Sequence, residues 1–176
     1  MRKITEKDID RWKTNTIELA PKLGYEKILS RINNVKFSLC PGFPPDGNWY
    51  GSFIYPKIRV YECNLSTEYL NRSDSDIIKK ELEKKGMLEI DIDEIMRILC
   101  SVSPEDFFEV YNQSGMDHEI GHLYNYIANR ANNNDEKAAS IFQIKFANER
   151  NTNTWKCIRE IMPKVLAYHK NIDKLK

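Results

Sequence analysis

Cysteine and histidine are both scarce in this chain, and their positions limit the kinds of site that it can contain. Its 176 residues include 4 cysteines and 3 histidines. The cysteines lie far apart and form no Cys-x-x-Cys pair: Cys40, Cys63, Cys100 and Cys157. This density and spacing exclude a disulfide-stapled secreted domain. We therefore expect reduced thiols, each acting as a small buried hydrophobic residue.

The chain also lacks an excess of charge of either sign and a long apolar run. Its 27 Lys and Arg residues balance 26 Asp and Glu residues, for a net charge of +1, and no basic stripe indicates nucleic-acid binding. No apolar stretch approaches the roughly 18 residues that a membrane span requires. Residues 1–8 lack the apolar region of a secretory signal. We expect a cytoplasmic protein with no nucleic-acid partner and no membrane association.

The remaining composition favours one packed domain. With 41% hydrophobic and 11% aromatic residues, a chain of this length can bury one core. We expect a single α+β domain over residues 1–176. It would have N-terminal helices at about 5–33, strands at about 35–65, and a helical region that contains a metal site at about 74–170.

Capping and turn residues locate the elements of the N-terminal half. Thr5 and Asp8 are spaced like a capping box at the start of a helix that ends at Leu19. A second short helix is predicted over 25–32 and an extended segment over 35–40. Aromatic and β-branched residues cluster between positions 49 and 65 around Pro56, which predicts a hairpin or two successive strands.

The C-terminal half is predicted to be helical. A charged, exposed helix is expected over 74–85, and apolar residues recur at helical spacing in 92–102 and 104–111. Gly115 is the predicted boundary before a helix over 116–130. After a turn at 132–134, a long helix is predicted from 135 to 162, where Pro163 ends or kinks it.

Two of the three histidines lie in one motif, His118-Glu119-Ile120-Gly121-His122. On a helix, the two histidines project about 40° apart and one turn along the axis. Their imidazoles can therefore reach one zinc ion at about 2.1 Å. Glu119 lies beside them, where a general base for a zinc-activated water belongs. The motif predicts one zinc ion per chain, with His118 and His122 as ligands and Glu119 as the catalytic residue.

A catalytic zinc site usually has a third protein ligand, with the fourth position left for water. The three-histidine version of this motif requires a glycine at position 125 and a histidine at position 128, where this chain has Asn125 and Ala128. A carboxylate on the following helix fits better, and that helix contains two candidates, Glu136 and Glu149.

Helix geometry favours Glu149. If the chain turns at about residue 133 and returns antiparallel, Glu149 lies nearly level with His118. Glu136 would then lie level with residue 130, roughly 12 Å along the axis from His122. We predict Glu149 as the third ligand. Glu136 is the alternative, and it requires the motif helix to end early, near residue 126.

These motifs resemble those of the ImmA/IrrE family of small zinc metallopeptidases. After the 118–122 motif comes Glu149-x-x-Thr152-Asn153-x-Trp155, which is similar to the family's second motif, Glu-x-x-Ala-Asn-x-Phe-Ala. Residues 161–163 resemble the Met-Pro that closes it. Thr152 and Lys156 depart from the family's two alanines. Residues 136–142, Glu-Lys-Ala-Ala-Ser-Ile-Phe, echo the same second motif.

The resemblance implies a zincin-like fold, in which a small twisted sheet in the N-terminal half packs on the HExxH helix and the C-terminal half is mostly helical. It implies zinc bound by His118, His122 and Glu149, and peptide hydrolysis with Glu119 as general acid/base. Residues 58–61 are the candidate edge strand for pairing with an extended peptide or protein substrate. By the same resemblance, this substrate would be a helix-turn-helix repressor.

Two further questions stay open from the sequence. Tyr124, Tyr168 and His169 are candidates for the donor that stabilises a developing oxyanion. The alternative to an active enzyme is a zincin-like protein whose site is latent or serves only in binding.

Overall fold

The computed structural model describes residues 1–44, 51–72, 74–84, 87–99, 101–128, 136–150, 152–156 and 158–160. Its described elements are mixed α and β, with helices in the majority. They are α1 (Glu6–Leu19), β1 (Lys36–Cys40), β2 (Gly51–Ile54), β3 (Lys57–Tyr61), α2 (Leu65–Arg72), α3 (Asp76–Lys84), α4 (Glu89–Leu99), α5 (Pro104–Ile127) and α6 (Glu136–Glu149).

The predicted capping box starts α1. The backbone N–H of Asp8 donates to Oγ1 of Thr5, and the backbone N–H of Thr5 donates to Oδ2 of Asp8 at 2.9 Å. These reciprocal bonds satisfy two N–H groups that the first helical turn would otherwise leave unpaired. In place of the short helix predicted over 25–32, three 3-10 turns follow α1, namely Ala20–Leu23, Glu26–Ile28 and Ile32–Asn34.

The three strands form one small sheet in the order β1-β3-β2. The predicted hairpin is confirmed, because β2 and β3 pair antiparallel on either side of a turn at Tyr55 and Pro56. β3 pairs in parallel with β1 on its other side. The prediction of residues 58–61 as an edge strand is therefore wrong: β3 is central, and β2 lies at the edge of the described sheet.

Helix α5 lies at the centre of the fold and contacts α1, α2, α6 and β2. It runs unbroken through Gly115, where the sequence predicted a boundary. The residues just before that glycine are polar, yet they are buried and hydrogen-bonded to neighbouring elements. Nδ2 of Asn112 donates to Oγ of Ser66 at 2.8 Å, and Nε2 of Gln113 donates to the carbonyl of Trp12 at 2.9 Å. Buried polar groups are tolerated where they have such partners.

The C-terminal elements also differ from the prediction. Residues 65–72 form α2, a helix that the sequence did not indicate. The long helix predicted over 135–162 ends at Glu149, and the described residues 153–156 and 158–160 are again helical. Pro163 lies outside the described residues. Among the described helices, none combines the length and the apolar character needed to cross a membrane.

Two groups of buried residues make up the core. The first joins α1, the sheet, the C-terminal half of α5 and the phenylalanines of α6. The second joins α2, α3, α4, the start of α5 and Trp155. The first group holds the motif helix between the sheet and α6, and this packing positions the candidate metal centre.

Candidate metal centre

The two motif histidines converge on α5, as their spacing predicts. Their Nε2 atoms lie 3.2 Å apart, and their rings are nearly perpendicular, at 84°. The His118 side chain is 20% exposed and that of His122 is 7% exposed. One ligand atom from each ring therefore points into the same small space.

The third member of the group is Glu136, the first residue of α6. Its Oε2 lies 3.0 Å from Nε2 of His118, and its Oε1 lies 3.4 Å from Nε2 of His122. Four ligands placed tetrahedrally about 2.05 Å from a zinc ion are separated by about 3.3 Å. The two Nε2 atoms, 3.2 Å apart, are close to that value, and one ligand atom from each of the three residues lies within 4.8 Å of the other two. The three side chains could therefore hold a metal ion.

Solvent can reach the group from the side of Glu136, whose side chain is 69% exposed. The hydrogen bonds from His118 and His122 hold the pKa of this carboxyl well below its usual range, and burial opposes them. The carboxylate is thus the favoured form beside the two rings. Two imidazoles and one carboxylate, open to solvent on one side, could thus hold a metal ion.

Glu149 is not brought to this group. It is exposed at the last position of α6, and the candidate metal group found among the described residues contains Glu136 instead. The prediction of Glu149 assumed that the motif helix continues to about residue 130 and that the chain turns at about residue 133. Helix α5 ends at Ile127, close to the point that the alternative ligand required.

Gly121 shows how the two helices are aligned. A Cβ atom placed on this glycine would lie 3.1 Å from Cα and O of Ala139 and from Cβ of Phe142. Ala139 is therefore level with the motif, and Glu136 lies one turn before it, next to the histidines. Glu149 lies ten residues after Ala139, or about 15 Å along the helix axis. Because of this alignment, Glu136 rather than Glu149 is the third side chain of the group.

Glu119 lies on α5 between the two histidines in sequence and is only 6% exposed. The pKa of its carboxyl is raised. Burial is the main cause, the nearby His118 and His122 oppose it, and the Glu136 carboxylate adds to the rise. Glu119 does not belong to the candidate ligand group. It is thus a buried carboxyl beside the candidate ligand group.

An aromatic cluster next to His122 was not assigned to the site from the sequence. The Phe53 ring lies parallel to the His122 ring, at 5° and 6.3 Å between centroids, and also contacts Tyr126. Tyr126 stacks on Tyr55 at 4.3 Å. Phe53 comes from β2, so the edge strand of the described sheet lies directly beside the metal centre. The aromatic enrichment of residues 49–65 was the sequence signal that could have indicated this cluster.

A buried ion pair fixes α5 next to His118. Asp117 is fully buried, and its carboxylate accepts hydrogen bonds from both terminal nitrogens of Arg150 and, at 2.7 Å, from Oγ1 of Thr16. Arg150 directly follows α6 and Thr16 belongs to α1. These contacts join three helices at the level of the metal centre.

Of the three predicted oxyanion donors, only Tyr124 lies within the described residues. Tyr124 packs edge-on against Tyr25, with 4.7 Å between ring centroids, and lines a cavity of about 280 Å³ together with Lys145. Tyr168 and His169 lie outside the described residues.

Comparisons of this chain with protein-family models, with curated proteins and with solved structures find no match.

Proposed function

We propose that this protein is a zinc-dependent metallopeptidase with a zincin-like site, in which His118, His122 and Glu136 bind one zinc ion. The observation that carries the proposal is the convergence of two Nε2 atoms and the Glu136 carboxylate in one group, in which one ligand atom from each residue lies within 4.8 Å of the others. A zinc ion bound there would supply Lewis acidity, lowering the pKa of its water and polarising the substrate carbonyl.

Glu119 is the proposed general acid/base. A carboxylate next to the ligand histidines can accept the proton of the attacking water and later donate it to the leaving amine. The low exposure of Glu119 limits competing hydration of this carboxylate.

Strand β2 is the proposed binding edge for an extended peptide. It contacts α5, and Phe53 on β2 stacks against the ligand His122. A peptide that adds to this edge would form backbone hydrogen bonds beside the metal centre. The resemblance of the motifs to the ImmA/IrrE family makes a helix-turn-helix repressor the protein substrate to test.

The function is tested with zinc-loaded wild-type protein and the Glu119→Gln variant. Cleavage of repressors encoded near its gene and of a peptide library is followed by mass spectrometry, and zinc content is measured in parallel. Glu119→Gln should keep its zinc and lose cleavage by at least about 100-fold. Glu149→Gln, the same substitution at an exposed glutamate, should retain both. Equal cleavage by wild type and Glu119→Gln would exclude the proposed role.

A second candidate function is metal-dependent binding without hydrolysis. The burial of Glu119 is the observation that favours it, because a water molecule must reach this carboxyl for catalysis. Zinc binding by the wild type without cleavage of any repressor or library peptide would select this function.

A further inference from the structure

The outer face of the sheet carries a row of cations that the proposed chemistry does not use. Side chains alternate between the two faces of a strand. Phe53 and Ile58 face the core, so Ser52 and Ile54 of β2 and Lys57 and Arg59 of β3 share the opposite face. The register adds Lys36 of β1 to this face, next to Lys57.

These three cations are exposed and unpaired within the described part of the chain. No ion pair is found there for Lys36, Lys57 or Arg59, whereas Lys3 and Arg11 do pair with carboxylates. The paired strand residues on this face include no acidic residue. The face therefore presents positive charge on a protein whose net charge is only +1.

We propose that this face selects the substrate: the site takes extended peptides with an acidic side chain that Arg59 binds. The inference rests on the proposed function, because it assumes that the peptide pairs with the edge of β2. A peptide strand there lies about 4.8 Å from β2 and about 10 Å from β3. Every second side chain of the peptide then falls on the cationic face.

Position along β2 determines which peptide residue meets Arg59. Ser52 is the direct neighbour of Arg59 across the pair, and its short side chain leaves room for the long arginine stem to extend towards the peptide. Ile54, two residues on, is 63% exposed and lies on the same face. The preferred peptide therefore has an acidic residue and a large apolar residue two positions apart. Which of the two comes first depends on whether the peptide runs parallel or antiparallel to β2.

The test uses zinc-loaded protein and fluorescent peptides with Leu and Glu two positions apart, in both orders, alongside versions with Lys in place of Glu. We expect a higher kcat/KM for one Glu order. Arg59→Gln should reduce this preference by up to about fivefold, the range of an exposed ion pair. Arg59→Glu should shift the preference to the Lys peptide, and added salt should weaken it.

Lys36→Glu is the matched control. It makes the same charge change on the same face, but β1 lies three strand spacings, about 14 Å, from the peptide and beyond the screening length at physiological salt. Its effect should remain below about twofold. An equal response to Lys36→Glu and Arg59→Glu would overturn the proposal, since it would indicate only general charge attraction.

A binding measurement separates failure of this inference from failure of the proposed function. Anisotropy of the same peptides is measured with zinc-loaded Glu119→Gln protein. A Glu preference that depends on Arg59 supports the inference even if the wild type cleaves nothing. Binding or cleavage without a Glu preference refutes it and leaves the peptidase proposal standing, and the absence of any peptide binding refutes it as well.

Discussion

Replacing Gly121 by alanine tests whether the close approach of α5 and α6 sets the metal centre. The added methyl would lie 3.1 Å from three atoms, two of which belong to the Ala139 backbone. Carbon atoms in favourable contact are about 3.5–4.0 Å apart, so α6 must move away by roughly 0.4 Å. Truncating the Ala139 side chain would not relieve this contact.

The expected stability change is modest because two effects oppose each other. Overpacking typically costs about 1–3 kcal/mol, and replacing glycine within a helix regains up to about 1 kcal/mol. We expect the metal-free Gly121→Ala protein to lose about 0–2 kcal/mol of unfolding free energy in a denaturant titration.

Zinc affinity should respond more strongly than stability. Metal–ligand distances hold to within about 0.2 Å, and α6 carries Glu136 at its first position. A shift of roughly 0.4 Å therefore predicts a loss of about 10- to 100-fold in affinity, as for other changes that displace ligands. Competition with a chelator measures it. Wild-type zinc affinity in a folded Gly121→Ala protein would refute the argument.

Three further predictions concern the surrounding fold. Thr5→Ala removes the α1 cap and should cost about 1 kcal/mol in chemical denaturation; an unchanged midpoint would show that the cap contributes nothing. Burial acts to raise the pKa of Asp8, but hydrogen bonds from Thr5 and Arg2 outweigh it and lower the pKa. The stability that this carboxylate adds is thus present above its unfolded pKa of about 3.9 and is lost as pH falls through the lower folded value; Asp8→Asn should flatten that dependence in acid-unfolding curves. Arg150→Ala removes the cation that pairs with the buried Asp117 carboxyl and should cost about 3–5 kcal/mol. Asp117→Asn should partly restore this loss in the double variant, and additive costs would exclude the pairing.

Local signals were sufficient for the parts of the fold that depend on nearby residues. The α1 cap needs only Thr5 and Asp8, and the hairpin needs only a strand-like run interrupted by Pro56. The histidine pair likewise follows from one helical turn. In each case the partners are close in sequence, so the pattern contains the geometry.

The predictions that failed depend on contacts between residues that are far apart in the sequence. The boundary predicted at Gly115 was wrong because the polar residues before it are held in the helix by hydrogen bonds to Ser66 and Trp12, which lie on other elements. The choice between Glu136 and Glu149 depended on where α5 ends and on how closely α6 approaches Gly121, and one sequence shows neither. The strand order β1-β3-β2 also lies beyond any local pattern.

The most direct test of the metal centre compares zinc binding by the wild type, Glu136→Gln and Glu149→Gln. Metal analysis and chelator competition on folded protein should show one zinc ion per wild-type chain. We predict that Glu136→Gln lowers the zinc affinity by more than about 100-fold, because it removes a metal ligand, whereas the loss of a group that only orients a ligand costs about 10- to 100-fold. Glu149→Gln should leave the zinc affinity unchanged. Full zinc affinity in Glu136→Gln, or its loss in Glu149→Gln, would contradict the proposed centre.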